Sequence, residues 1–169
     1  MLVADVARGD GKDYSVFHII KLETMEVVGE YQGKPTPDVY GNMLYSAGKE
    51  YGSCLLVVEN NSVGFAVLDK LKDLEYPNLY YSVKSTHEYV NQLEAEVMSN
   101  SVAGFTTSQK TRPLIVAKLE EFIRNKLITL YSSRTANEFK TFIWNNGRPQ
   151  AMRSYNGDLT MALASGCWV

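Results

Sequence analysis

Cysteine is nearly absent from this 169-residue chain, and the two present, Cys54 and Cys167, lie far apart among apolar neighbours. That excludes a disulfide framework and a thiolate zinc site, and it points to a reducing compartment. Histidine is equally scarce. His18 lies in the apolar run VFHII and reads as packed or edge-exposed, and His87 lies in a polar loop where solvation is its ordinary state. Neither has a serine or cysteine at triad spacing, so a protein nucleophile has no support. No apolar run approaches the ~18 residues of a membrane span. The opening MLVADV is too short for a signal peptide. A formal net charge of −2 gives no global basic field, so a polyanion would have to meet a local basic face. The phosphate-loop pattern G-x-x-x-x-G-K-[ST] is also missing: Gly11-Lys12 is followed by Asp13 and lacks the upstream glycine.

What is present suits one ordinary domain. Hydrophobic residues make up 45% and charged residues 21%, enough for a core in a soluble globular chain. Residues 2–6, 14–22 and 26–32 read as strands with short connections, hence an antiparallel meander. After Lys34-Pro35-Thr36-Pro37-Asp38, the apolar positions Val39, Met43, Leu44 and Ala47 recur at helical spacing. SCLLVV at 53–58 is a continuous apolar run, as in a strand covered on both faces and parallel to a neighbour. Asn60-Asn61-Ser62 has loop and cap chemistry. A helix over 63–74 and a fifth strand over 79–83 follow. Residues 86–113 read as polar and irregular. Then come an amphipathic helix over 113–126, a short helical turn over 135–138, and a hairpin around Asn145-Asn146-Gly147-Arg148. Asn156-Gly157-Asp158 caps a last helix over 159–165. The chain opens inside a strand and stops inside an apolar helix, as a domain excised from a longer polypeptide would.

The stretch VADVARGDGKDYSVF sets the chemical question. Asp5 stands on a hydrophobic strand, where a carboxylate is costly unless paired or coordinating a metal. Two readings are open: an inward acid awaiting partners, or a turn-proximal acid on an edge strand. Glu59 ends the buried strand, the place where open α/β sheets gather ligands. Asp158 opens the last helix, where an acid caps free N–H groups. Alone, each is an ordinary structural acid. If strand four pairs with strand one and the last helix crosses that sheet, Asp5, Glu59 and Asp158 converge. Three converging carboxylates repel unless a cation joins them, and all-oxygen ligands select Mg²⁺ or Mn²⁺ over zinc.

Strand-Asp5, meander, helix, strand-Glu59, helix and a final helix opened by Asp158 resemble the ribonuclease H-like nucleases. DVARGDGKDYS, VVENNSVG, GFTTSQKTRP followed by LIVAKLEEFI, and YNGDLTMALA look like the nuclease domain of the large terminase subunit of tailed bacteriophages. The resemblance covers nearly the whole chain in order. It implies an α/β, ribonuclease H-like fold: a central mixed five-stranded sheet of three antiparallel strands then parallel strands, flanked by helices, with an added β-hairpin. It implies that residues 1–169 are a single nuclease domain whose ATPase motor lies elsewhere. Asp5, Glu59 and Asp158 would be the catalytic, metal-binding triad, with Asp13 an accessory acid, for two-metal hydrolysis of phosphodiesters with Mg²⁺ or Mn²⁺. The family commonly has two successive aspartates before the last helix. Here the first is Gly157, which puts the second metal position in question.

The resemblance further implies double-stranded viral DNA as substrate, cut from a concatemer during packaging. It implies the terminase ATPase domain, the small terminase subunit and the portal as partners, no membrane, and the host cell cytoplasm. DNA contacts would be to the backbone. The candidates are Lys12 in the first loop, Lys84 after strand five, Lys110 and Arg112 in TTSQKTR, and Arg148 in the hairpin, each of which is otherwise a solvated cation. Tyr80, Tyr81 and Tyr155 suit either base stacking or the core rim. Rival readings are a junction resolvase or RNA-strand nuclease with the same acids, and a non-cutting binding domain for DNA or packaging partners. A nucleotide-binding module of the actin and sugar-kinase type would need a second phosphate loop and a longer chain.

Overall fold

A computed structural model describes the chain apart from residues 62 and 85–87 and the side chain of Glu96. The expectations for Ser62 and His87 therefore fall outside the described residues. Three antiparallel strands open the chain: β1 (Leu2–Asp5), β2 (Ser15–Lys21) and β3 (Glu26–Gly33). Helix α1 (Pro37–Glu50) leads to β4 (Leu56–Val58), which pairs in parallel with β1. Helix α2 (Gly64–Asp73) follows. Next come β5 (Tyr81–Val83), β6 (Tyr89–Val90), α3 (Gln92–Val97) and β7 (Ser101–Ala103). The chain closes with α4 (Thr111–Arg124), β8 (Thr129–Leu130), α5 (Ser133–Thr141), the hairpin β9 (Phe142–Asn145) and β10 (Arg148–Ala151), and α6 (Asp158–Trp168).

The central sheet has the order β4-β1-β2-β3-β8, so β1 is an interior strand. The edge-strand reading of Asp5 is thereby excluded. Pairing of Leu2 with Leu56 and of Ala4 with Val58 sets the register, and the Glu59 N–H donates to the Ala4 carbonyl at 2.9 Å. Side chains alternate across a sheet. Leu2, Ala4, Leu56 and Val58 face the core shared with Leu44, Val67 and Leu71 of α1 and α2. Val3 and Val57 face the opposite core, shared with Ile115 and Leu119 of α4 and Leu163 of α6. The same alternation sends Asp5 and Glu59 toward the α6 side.

Helix α6 is apolar nearly all round and buried from Leu159 to Cys167, which marks a helix wedged between layers rather than one lying on a surface. It packs on β1, β2 and α4. Burying each large side chain such as Leu159 or Leu163 contributes roughly 1.5–3 kcal/mol, which fixes where its first residue, Asp158, must lie.

Two segments depart from the sequence expectation. The expected fifth strand enters as a parallel bridge from Leu79 to Leu56, and then β5 leaves to form a separate three-stranded sheet, β6-β5-β7. The fifth strand of the central sheet is instead β8, parallel to β3 at the far edge. Two residues of β8 give no readable alternation. Residues 86–113, expected irregular, supply β6, α3 and β7. There the Phe105 N–H and carbonyl bond to the Val58 carbonyl and the Asn60 N–H, which covers the edge of β4. The 135–138 turn is a full helix, α5, whose N-cap Ser132 side chain accepts from the Thr135 N–H. The hairpin follows expectation: Asn146 and Gly147 have φ of 49° and 75°, as a two-residue turn with left-handed centres requires. Both cysteines are free, and His18 is fully buried. Tyr80 is core, Tyr81 lies at its rim and Tyr155 is exposed. No helix among the described residues is long and apolar enough to cross a membrane.

Candidate active site

The register that aligns β1 with β4 sets Asp5 and Glu59 level at the carboxyl ends of two parallel strands. Their carboxyl groups are close enough for Glu59 to act on the titration of Asp5. The Asp5 carboxyl is held well above its ordinary range, by burial first, then by the close charge of Glu59, and by Asp158. The Val6 N–H, 2.7 Å from Oδ1, opposes this.

Glu59 is steered from behind. Asn61 Nδ2 donates to Glu59 Oε2 at 3.1 Å, and Asn61 Oδ1 accepts from the Gly64 N–H at 2.9 Å, capping α2. A Cβ at residue 64 would collide with the Glu59 carbonyl oxygen, so glycine lets α2 start directly against the acid-bearing turn. Of the stretch Asn60-Asn61-Ser62 read as loop and cap chemistry, Asn61 meets the start of α2 while Asn60 donates to the Ala103 carbonyl at 3.0 Å, and the contact to Glu59 was missed.

Asp158 enters from α6. Its Oδ2 accepts from the Tyr14 N–H at 2.9 Å, joining the start of the last helix to the end of the first loop. Burial raises its pKa, the Tyr14 N–H lowers it, and Asp13 and Glu59 push it up while Arg112 offsets them. Asp5, Glu59, Asp158 and Asp13 line one cavity of about 500 Å³, together with Asn61, Arg112 and the loop residues Arg8, Asp10 and Gly11. Arg8 and Asp10 pair at 3.0 Å, both well exposed. Lys34, which the sequence reading passed over, donates to the Gly11 carbonyl at 2.9 Å and sits 4.6 Å from the centre of the Tyr14 ring. It pins the loop that carries Asp13.

The five candidate cations separate. Arg112 lines the cavity. Burial lowers its pKa, and the charges of Glu59, Asp5 and Asp158 hold it up. Its Nε donates to the Pro149 carbonyl at 3.0 Å, so the hairpin fixes it. Arg148 shares a second cavity with Arg112, lined also by Gln109, Pro113, Asn146 and Gly147. Lys12 and Lys110 are exposed and outside the acid cavity. Lys84 is exposed at the end of β5, on the small sheet, and lines no part of that cavity.

Gly157 has a packing cause. A Cβ there would stand 2.8 Å from the Phe142 ring and 3.3 Å from Ala151 Cβ, because the base of the hairpin lies on the entry to α6. An aspartate at 157 does not fit this arrangement.

Among the described residues, no group of three or more His, Cys, Asp or Glu side chains is set to hold a metal ion as it stands. The donor chemistry nevertheless fits a divalent cation. Five carboxylates line one cavity with two guanidiniums, Arg8 paired to Asp10 and Arg112, and Asp5, Glu59 and Asp158 offer the all-oxygen donors that a divalent cation takes.

No protein-family model and no curated protein matches the sequence. Solved structures do match the fold. The large terminase nuclease from thermophilic phage G20c with bound magnesium shares 16% identity at a TM-score of 0.72, covering 99% of this chain and 79% of that one. The same nuclease with bound cobalt shares 17% identity at 0.72, with the same coverage. The large terminase nuclease domain of Thermus phage P74-26 shares 18% at 0.61, over 96% and 75% of the two chains. The chain has the fold of these nuclease domains.

Proposed function

We propose that this chain is a single nuclease domain, residues 1–169, that hydrolyses phosphodiester bonds in double-stranded DNA with divalent cations at Asp5, Glu59 and Asp158. The observation that carries the reading is the convergence of Asp5, Glu59 and Asp158 from β1, β4 and α6 on one cavity that Arg112 also lines. Acids gathered this closely at half-buried positions repel one another, and Mg²⁺ or Mn²⁺ would offset that repulsion. The magnesium and cobalt bound by the G20c nuclease support a divalent ion.

When bound, two such ions supply an activated water and neutralise charge on the scissile phosphate. This chain's residues do the rest. Asp5, on the rigid strand β1, is the central ligand, with Glu59 beside it and Asp158 opposite. Asp13 completes the outer side of the cavity. Arg112, pinned by Pro149, places a fixed guanidinium where a phosphate oxygen arrives, and Arg148 extends that charge along the backbone. Lys12 and Lys110 meet the DNA farther out.

The finer setting follows from the same reading. The substrate is a viral DNA concatemer cut during packaging in the host cell cytoplasm. An ATPase motor domain, a small terminase subunit and a portal are the partners. Duplex DNA, RNA–DNA hybrids and four-way junctions offered in parallel with Mn²⁺ test the substrate class. Duplex cleavage is expected. A preference for hybrids or junctions would favour the resolvase or RNA-strand reading, and no cleavage with intact DNA binding would favour a non-cutting domain.

A further inference from the structure

Helix α6 brings Asp158 to the cavity with a defective start. The first N–H groups of a helix need partners, usually a Ser, Thr, Asp or Asn side chain at the N-cap. Here the N-cap is Gly157, which makes no side-chain cap, and the ring of Phe142 leaves no room for one. The partner comes from another helix. Glu138 of α5 accepts through Oε2 from the Thr160 N–H at 3.0 Å and from Thr160 Oγ1 at 3.1 Å.

Glu138 stands in poor electrostatic company for a mere structural filler. Asp158 and Glu30 both repel it, and its Oε1 is buried without a hydrogen-bond partner. From the other side, His18 Nε2–H donates to the Leu159 carbonyl at 3.0 Å, and burial lowers the pKa of that imidazole. The turn that carries Asp158 is thus held at residues 159 and 160 by side chains from two other elements.

The geometry points to Glu138 as a positioning residue of the acid cavity: it caps α6 in trans, in place of the side chain that Gly157 lacks, and so aims Asp158 at Asp5 and Glu59. This rests on the metal-dependent reading above. It also accounts for how the chain keeps Asp158 fixed without a second aspartate before the helix. The effect passes through hydrogen bonds, so acceptor capacity at residue 138 matters and charge does not. Glu138→Gln keeps an acceptor oxygen. Glu138→Met keeps the length and loses the acceptor.

The test is Mn²⁺ binding by calorimetry on the full chain, with amide hydrogen exchange on the metal-free protein. Glu138→Met should weaken Mn²⁺ binding roughly 10-fold, the usual scale for removing an outer support of a ligand. It should also speed exchange at Thr160 while Leu163 and Ala164 stay protected. Glu138→Gln should stay near wild type in both. Thr160→Val removes one of the two contacts at nearly constant volume and should shift both readings less, in the same direction; it decides the matter if Glu138→Met does not fold. Unchanged exchange at Thr160 and unchanged affinity in the folded Met variant would overturn the positioning role. Equal losses in the Gln and Met variants would overturn it in favour of charge. A wild-type chain that binds no Mn²⁺ would overturn the functional reading instead, while the exchange data still report on the cap.

Discussion

Asp5 and Glu59 stand level at the ends of neighbouring parallel strands, so the charge of Glu59 falls on Asp5. The fold favours the protonated form of Asp5, whose pKa lies above its ordinary 3.8. Stability from this group is therefore full below about pH 4 and is lost as pH rises through the raised value. Asp158 shifts in the same direction. Thermal unfolding of metal-free wild type and Asp5→Asn from about pH 4 to about pH 8 isolates the effect. The variant should gain on wild type as pH rises. A constant difference would mean that Asp5 ionises as freely folded as unfolded.

Divalent ions should reverse that loss. At about 100 times its dissociation constant, a ligand of the native state adds about 2.7 kcal/mol. Mg²⁺ or Mn²⁺ should raise the unfolding temperature of wild type, and should leave Asp5→Asn and Glu59→Gln nearly unmoved.

Gly157→Asp should not improve a metal site. The new Cβ meets the Phe142 ring at 2.8 Å, and overpacking of this kind typically costs about 1–3 kcal/mol. A lower denaturant midpoint with no tighter Mn²⁺ binding is expected. Tighter binding at unchanged stability would show that the hairpin yields easily.

The cations should split as their positions do. Arg112→Ala should weaken DNA binding and reduce the salt slope by about 1. Arg148→Ala should act in the same direction. Lys84→Ala, on the small sheet, should leave both unchanged. Fluorescence anisotropy with labelled duplex across a salt series reads all three.

Much of this arrangement was legible because it depends on strand alternation. Val3 and Asp5 share a face, Val57 and Glu59 share a face, and only parallel pairing of β1 with β4 brings the two together. The continuous apolar run before Glu59 signalled that pairing. The apolar helix after Asp158 signalled the third wall. Asn146-Gly147 marked the hairpin for the same reason, since two adjacent residues tolerant of positive φ are rarely neutral. What escaped was set by tertiary contact alone. The two residues of β8 carry no period. Glu138 reads as an ordinary helix acid until α5 is laid against α6. Lys34 reads as a solvated lysine until it reaches the Gly11 carbonyl. Gly157 looked like a lost ligand, and only the Phe142 ring beside it shows why glycine stands there.

Plasmid cleavage with Mn²⁺ and Mg²⁺, by wild type and by Asp5→Asn, Glu59→Gln and Asp158→Asn, bears most directly on the carboxylate cavity. Wild type should nick and linearise the plasmid only with a divalent ion. Each folded variant should lose activity by on the order of 100-fold or more, since loss of a ligand costs at least as much as loss of its outer support. Full cleavage by a folded Asp5→Asn protein, or cleavage undiminished by a chelator, would contradict the assignment.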